Sequence, residues 1–375
     1  MFAKRAWAAL AGLIVMIGVS SRGLMAQSGG AAAAGKMTEE VYKNIQVLKG
    51  IPADQLPPTM QFVAASLGER CTFCHVEGAN EKDDKETKQT ARKMMQMVLA
   101  INKDNFDGRT QVTCYSCHRG NESPVGTPVI SDAGPPPEPP REAAASGAGG
   151  EQQATGPTAA QLLDKYLAAS GGADALAKIS SRIAKGNALA ADGGKTPVEI
   201  YSKGSDKRVM ITHAANGDRS TGYNGNFGWT TNAAGAPRDM SAADLEGSKL
   251  EDDLYLATHA QQIYSQWRVG RPQKVGGRDC YVLNGSAPGH VPLRLYLDQQ
   301  TGMLLRLIRY TETPLGRLPA QVDFADYRGQ DGVKVPYRLI LARPAARTTV
   351  QLDQVQQNVA VDDSKFTKPA DPPRP

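Results

Sequence analysis

Several sources of chemistry are missing from this sequence. There is no GxSxG, no HExxH, and no pair of acids in a recognisable catalytic setting, so no catalytic residue is assigned. Asn224-Gly225-Asn226-Phe227-Gly228-Trp229 is rich in glycine but lacks the strand–helix frame of a phosphate loop and reads as a turn. No charge sign dominates either. The formal charge is +5 and shrinks once Lys4, Arg5 and Arg22 leave with a leader. Residues 36–122 carry twelve basic and twelve acidic side chains. This excludes a nucleic-acid footprint and long-range steering by one sign. The one strongly apolar run, Trp7 to Val19, is short for a membrane span. With Lys4 and Arg5 before it and Ala26 after it, residues 1–26 read as a secretory signal; an uncleaved membrane anchor is the alternative. No cysteine lies near Ala26, which excludes a lipobox anchor. Cysteine itself is scarce, with five in 375 residues.

Four of those five fall into two copies of one motif, Cys71-Thr72-Phe73-Cys74-His75 and Cys114-Tyr115-Ser116-Cys117-His118. CxxCH is the spacing that attaches a c-type haem. Two thiols form thioethers to the porphyrin, and the adjacent histidine places an imidazole nitrogen under the iron. The motifs therefore predict two covalent haems, held by Cys71 and Cys74 and by Cys114 and Cys117, with His75 and His118 as proximal ligands. Competing readings explain less. A four-thiolate zinc site would leave both histidines surplus, a redox dithiol calls for a βαβ setting, and disulfides give no reason for the histidines to recur at one offset.

Around the motifs the sequence reads as helical. Thr38 to Leu48 has Glu39 and Glu40 in its first turn and Val41, Ile45 and Leu48 at helical spacing. Pro57-Pro58 and Gly68 bracket a second helix, Thr59 to Leu67. Met60, eleven residues before Cys71, is a candidate distal ligand or a core filler. Glu81 to Lys88 is a charged run that reads as a solvated face and the start of the next helix. That helix spans Thr87 to Asn102, where Met94, Met95 and Met97 are the candidates for a second distal ligand; composition does not choose among them.

The strings "MQFVAASLGERCTFCH" and "ARKMMQMVLAIN … VTCYSCHRG" resemble the cytochrome c subunit of photosynthetic reaction centres. That family carries four haems on repeated helix–turn–CxxCH units, and a helix methionine upstream closes the sixth position of three of them. The resemblance implies Met60 for the haem on Cys71 and Cys74, and Met94 for the haem on Cys114 and Cys117. It covers roughly residues 37–125. Only two attachment motifs are present, and no histidine lies between His75 and His118 to serve a further haem, as in a self-contained two-haem unit.

From Asn121 to Pro157 the chain is rich in Pro, Gly and Ala and reads as an extended linker. Beyond it, Thr158 to Ser170 is an amphipathic helix stopped by Gly171-Gly172, followed by Ala173 to Ile179. Alternating apolar runs then recur: Val198–Tyr201, Arg208–Thr212, Tyr281–Leu283, Leu293–Leu297, Leu304–Tyr310 and Gln321–Tyr327. Leu250 to Trp267 interrupts them with helical character. This layout resembles the open half-barrel of lipoprotein-carrier proteins, carried by "GGRDCYVL", "LYLDQQTGMLLRL" and "NVAVDDSKFTKP". Cys280 reads as a buried free thiol. His213, His259 and His290 share no ligand spacing and read as ordinary polar residues.

The expectation is a multi-domain chain: signal 1–26, a mainly α two-haem c-type domain over 36–125, linker 126–157, and an α+β antiparallel open half-barrel over 158–370. Its expected role is a periplasmic, non-enzymatic relay of electrons between redox partner proteins; membrane association would follow only in the alternative of an uncleaved signal. The alternative is a lipid- or quinone-binding carrier or sensor, with an apolar ligand in the C-terminal domain and haems that report redox state.

Overall fold

The computed structural model describes residues 35–124, 156–190, 193–231, 235–344 and 346–370. The signal segment 1–26 and nearly all of the linker at 126–157 lie outside the described residues. Among them, no helix is long and apolar enough to cross a membrane.

The N-terminal module is built from five helices: α1 (Thr38–Val41), α2 (Leu56–Leu67), α3 (Cys71–Cys74), α4 (Glu86–Asn105) and α5 (Cys114–His118). Prolines 57 and 58 sit in the first turn of α2, where their missing N–H groups cost nothing. Gly68 closes it at φ 72. A side chain at Gly68 would also collide with the Gly120 carbonyl just after α5. The α1 expectation is corrected: the helix ends at Val41, not Leu48. Asn44 takes φ 59, and its amide donates to Glu81 O at 2.6 Å and Asp83 at 2.9 Å. Those long-range bonds hold the chain out of the helical path.

The C-terminal module opens with α6 (Ala159–Ser170), capped by Thr158 and Gln161 reciprocally, and α7 (Ala173–Ala177). The first run of strands is β1 (Ser181–Leu189), β2 (Lys195–Lys203), β3 (Lys207–Ala214), β4 (Gly217–Asn224), β5 (Phe227–Thr231) and β6 (Pro237–Asp239). Two helices follow, α8 (Ala242–Asp252) and α9 (Leu256–Ile263). The helical interruption thus starts earlier than Leu250, and Trp267 belongs to a strand. The second run is β7 (Gln266–Val275), β8 (Arg278–Ser286), β9 (Leu293–Asp298), β10 (Leu304–Thr313), β11 (Gly316–Gln330), β12 (Val333–Arg343) and β13 (Ala346–Gln357).

All thirteen described strands form one antiparallel sheet in the order β6-β5-β4-β3-β2-β1-β13-β12-β11-β10-β9-β8-β7. Every pairing joins sequence neighbours except one. β1 meets β13 with Ile183 opposite Gln356 and Ala188 opposite Val350, which welds the first run to the last. β6 and β7 form the two edges, so the sheet stays open. Period-2 alternation sorts the side chains. Leu293, Leu295 and Leu297 pack with Leu162, Leu163 and Tyr166 of α6 and with Leu256 and Ala260 of α9 in the main core. Tyr296 faces the other way, in a small cluster with Val275, Val282 and Cys280. Cys280 is fully buried and a free thiol.

The two modules touch. Leu315, in the turn between β10 and β11, and Leu318 bury themselves against Phe62 of α2, Val98 of α4 and Cys114 of α5. Leu315 is 0 % exposed. Gly316, at φ 150, lies so close to the Phe62 ring that any side chain there would run into it. Thr313 Oγ1 donates to Gly316 O at 2.7 Å and holds the turn. Leu315→Ala removes the most buried side chain of this contact and should cost about 2–5 kcal/mol. Calorimetry should then show the helical module melting in a separate, lower transition.

Candidate haem-binding module

A single turn of helix suits the CxxC spacing, because residues three apart lie on one face. Cys71 and Cys74 bound α3, with His75 directly after it in extended conformation. Cys114 and Cys117 lie in α5, with His118 as its last residue. None of the four forms a disulfide. Burial pushes the Cys74 and Cys114 thiols up. Among the described residues, no three His, Cys, Asp or Glu side chains converge as a metal site would require.

Each motif is braced by the helix that precedes the other. Thr87 Oγ1 of α4 donates to Phe73 O of α3 at 2.7 Å, and Lys85 donates to Thr72 O. On the other side, Gly120 N donates to Ser66 O of α2 at 2.8 Å. The approach to Cys114 is fixed by Asn102, which is 4 % exposed. Its amide donates to Val112 O at 2.7 Å, and its carbonyl accepts from Gln111 N at 3.0 Å and Val112 N at 2.9 Å. Sequence reasoning gave Asn102 no role. A polar residue on the helical stripe of Val98, immediately ahead of the turn, was its only signal.

The histidines carry the decisive geometry. His75 Nδ1 lies 3.0 Å from Asn80 O, and His118 Nδ1 lies 3.1 Å from Asn121 O. A carbonyl can only accept, so each Nδ1 bears the proton. In the neutral form of each ring Nε2 is then the nitrogen left with a free lone pair, the one that could take iron. The same tautomer at both motifs is what a pair of proximal haem ligands requires, and the residues present fit the group.

Of the three α4 methionines, Met95 packs against the Phe62–Leu315 cluster. Met94 and Met97 are 38 % and 45 % exposed, free of the core. Met60 is half-buried in α2. The charged run before α4 is not merely solvated: Lys88 and Arg92 are buried, and both bond Asp83 at 3.0 Å. The hydrogen bond from Arg92, then those from Asn44 and Lys88, hold the Asp83 carboxyl well below the ordinary range.

In the C-terminal module the histidines each answer a carboxylate: His213 to Asp218 at 2.8 Å, His259 to Asp253 at 2.7 Å and His290 to Glu246 at 2.8 Å. Asn224 and Phe227 close the β4–β5 hairpin, so within the glycine-rich segment Gly225 and Asn226 form the turn, while Phe227 to Trp229 belong to β5. Helices α6 to α9 lie on the face of the sheet that holds the main core. The cavity left between them and the sheet measures about 130 Å³ and is lined by residues including Tyr166, Arg182, Asp252, Leu256 and Tyr327.

Residues 19–192 match the family model for the photosynthetic reaction centre cytochrome c subunit. The subunit from Thermochromatium tepidum is 41 % identical over 109 residues, 28 % of this chain and 27 % of that one. The subunit from Roseobacter denitrificans is 36 % identical over 102 residues, 24 % of this chain and 27 % of that one. The chain thus spans about a quarter of the length of these curated relatives. Among solved structures, a LolA superfamily protein from Nitrosomonas europaea matches 57 % of this chain and 99 % of its own, at 16 % identity and a TM-score of 0.37. A DUF1329 family protein from Desulfovibrio piger matches 55 % of this chain and 95 % of its own, at 16 % identity and a TM-score of 0.39. Scores this low carry no argument, and the open sheet stands on its own ladder of strands. The two-motif module, with its paired thiols and its two carbonyl-bonded histidines, lies wholly inside residues 19–192, the segment that matches the family model.

Proposed function

We propose that this chain is an exported c-type cytochrome with two covalent haems, which relays single electrons between redox partner proteins. The observation that carries the reading is the shared histidine geometry: His75 and His118 each give Nδ1–H to a main-chain carbonyl and keep Nε2 for iron. Haem supplies reversible one-electron exchange at its iron. The chain's own residues do the rest. Cys71, Cys74, Cys114 and Cys117 anchor the rings. Asn102 and Thr87 hold the motif helices in place, and Leu315 and Leu318 keep water from the Cys114 side. Met60 and Met94 are the proposed distal ligands, which would close both irons to substrates and make the protein a carrier rather than an enzyme.

The carrier alternative calls for a large apolar cavity. Ligand pockets usually run to about 300–1,000 Å³. The cavity on the helix-covered face is smaller, at about 130 Å³; a second, of about 710 Å³, is within that range but is lined by Arg278, Arg306, Asp323, Asp326 and Arg347 beside its apolar residues, so the relay is the favoured reading. The test is a pyridine haemochromogen assay with intact mass of protein matured in the periplasm. Two covalent haems per chain are expected; fewer than two overturns the proposal.

A further inference from the structure

The two histidine acceptors are not equivalent. Asn80 O, which takes the His75 proton at 3.0 Å, also receives the Lys88 ammonium at 2.9 Å. Lys88 is only 7 % exposed. Its remaining bonds run to Lys82 O at 2.6 Å and to Asp83 at 3.0 Å. Asp83 is shared with Arg92, also at 3.0 Å, so Lys88, Arg92 and Asp83 together keep one net positive charge beside this motif. Asn121 O, which takes the His118 proton at 3.1 Å, receives no lysine or arginine among the described residues.

We propose that Lys88 sets the reduction potential of the haem held by His75 above that of the haem held by His118. The inference rests on the two-haem reading. A carbonyl that accepts from an ammonium has less electron density to offer a second donor. The His75 Nδ1–H···O bond is therefore the weaker of the two, and its imidazole keeps less imidazolate character. A less basic imidazole stabilises ferric iron less, which raises the potential. The buried positive charge acts in the same direction, since it disfavours the ferric state. With both haems in place the pair would have a built-in slope, favouring transfer of one electron from the ferrous centre held by Cys114 and Cys117 to the ferric centre held by Cys71 and Cys74. Lys88 is a positioning residue in this scheme, because it acts through Asn80 O and His75 rather than on iron.

The experiment is a spectroscopic redox titration of the full two-haem protein and its Lys88→Met variant, with haem methyl NMR resonances assigning each midpoint. The higher midpoint, that of the His75 haem, should fall by about 59 mV, a tenfold shift in its ferric-to-ferrous ratio at fixed poise. The lower midpoint should stay put, and Lys88→Arg, which keeps the charge, should restore most of the difference. Unchanged midpoints, or an equal shift of both, overturn the proposal. Haem content separates the two readings: a wild-type count below two defeats the two-haem reading, whereas a count of two with unmoved midpoints defeats only the role of Lys88. Should Lys88→Met fail to fold, hydrogen exchange in the unaltered protein decides. The His75 Nδ1–H should exchange faster than that of His118, and equal or slower exchange removes the premise.

Discussion

Met60→Ala and Met94→Ala should each convert one closed haem into an open one. Reduced wild-type protein is expected to bind no carbon monoxide, and each single variant to bind it at one haem of the two. The midpoint of the altered haem should fall as well, because a thioether opposite imidazole favours ferrous iron. Axial ligands span about 0.8 V in haem proteins, so a drop on the order of 0.1–0.3 V is expected. Met95→Ala should leave both spectra intact, since that side chain packs against the Phe62 cluster. Met97→Ala is the discriminating control. Met97 shares the exposed side of α4 with Met94, and an open haem in Met97→Ala, with none in Met94→Ala, would move the assignment by one helical turn.

Glu251→Ala should produce the largest loss of stability in the C-terminal module. Glu251 accepts from Arg309 at 2.8 Å and from Arg343 at 2.8 Å, with Glu251 and Arg309 side chains 6 % and 5 % exposed. Removing the carboxylate leaves the Arg309 charge buried without its closest partner. The cost should be about 3–5 kcal/mol, read as a lower midpoint in urea unfolding. By contrast, Glu312→Ala breaks an ion pair whose side chains are more than half exposed and should change stability by less than about 1 kcal/mol.

The same buried group predicts a pH dependence. Burial pushes the Glu251 carboxyl up, but Arg309 and Arg343 together pull it below the ordinary value. Its contribution is therefore present above the unfolded carboxylate pKa and is lost only as pH falls through the lower folded one. Asp252 goes the other way. It has one guanidinium, Arg208 at 2.6 Å, and burial pushes it up to about 6. Between the unfolded pKa and about 6 the folded state binds the extra proton, so this residue's contribution weakens as pH rises through that window. In Asp252→Asn, stability should rise relative to wild type from mildly acidic to neutral pH, as measured by urea unfolding at a series of pH values.

Much of the helical module can be read from local rules. Prolines 57 and 58 and Gly68 mark the ends of α2 to within a few residues, because proline and glycine act on their own backbone. The strong helix formers between Glu86 and Asn105 make α4 whatever surrounds them. The reach of α1 was not legible, since it ends where Asn44 is captured by Glu81 and Asp83, some forty positions away. The charged run that ends at Lys88 misled for a related reason. A run of mixed charge looks solvated until the loop that folds over it supplies carbonyls and a carboxylate.

What the sequence determined by itself is whatever contiguous chemistry demands. Covalent attachment of a c-type haem calls for two thiols, with an imidazole beside them for the iron, at fixed short spacing, so the candidate haem sites can be written from the CxxCH motifs alone. Alternation likewise announced six of the thirteen described strands, β2, β3 and β8 to β11. Only the tertiary structure decided that β1 closes against β13, that Leu315 and Leu318 carry the sheet's β10–β11 turn onto Cys114, and that Asn80 O serves His75 and Lys88 together. Each of these joins residues distant in the chain. Their meeting depends on the summed burial of many side chains, and no local pattern encodes it.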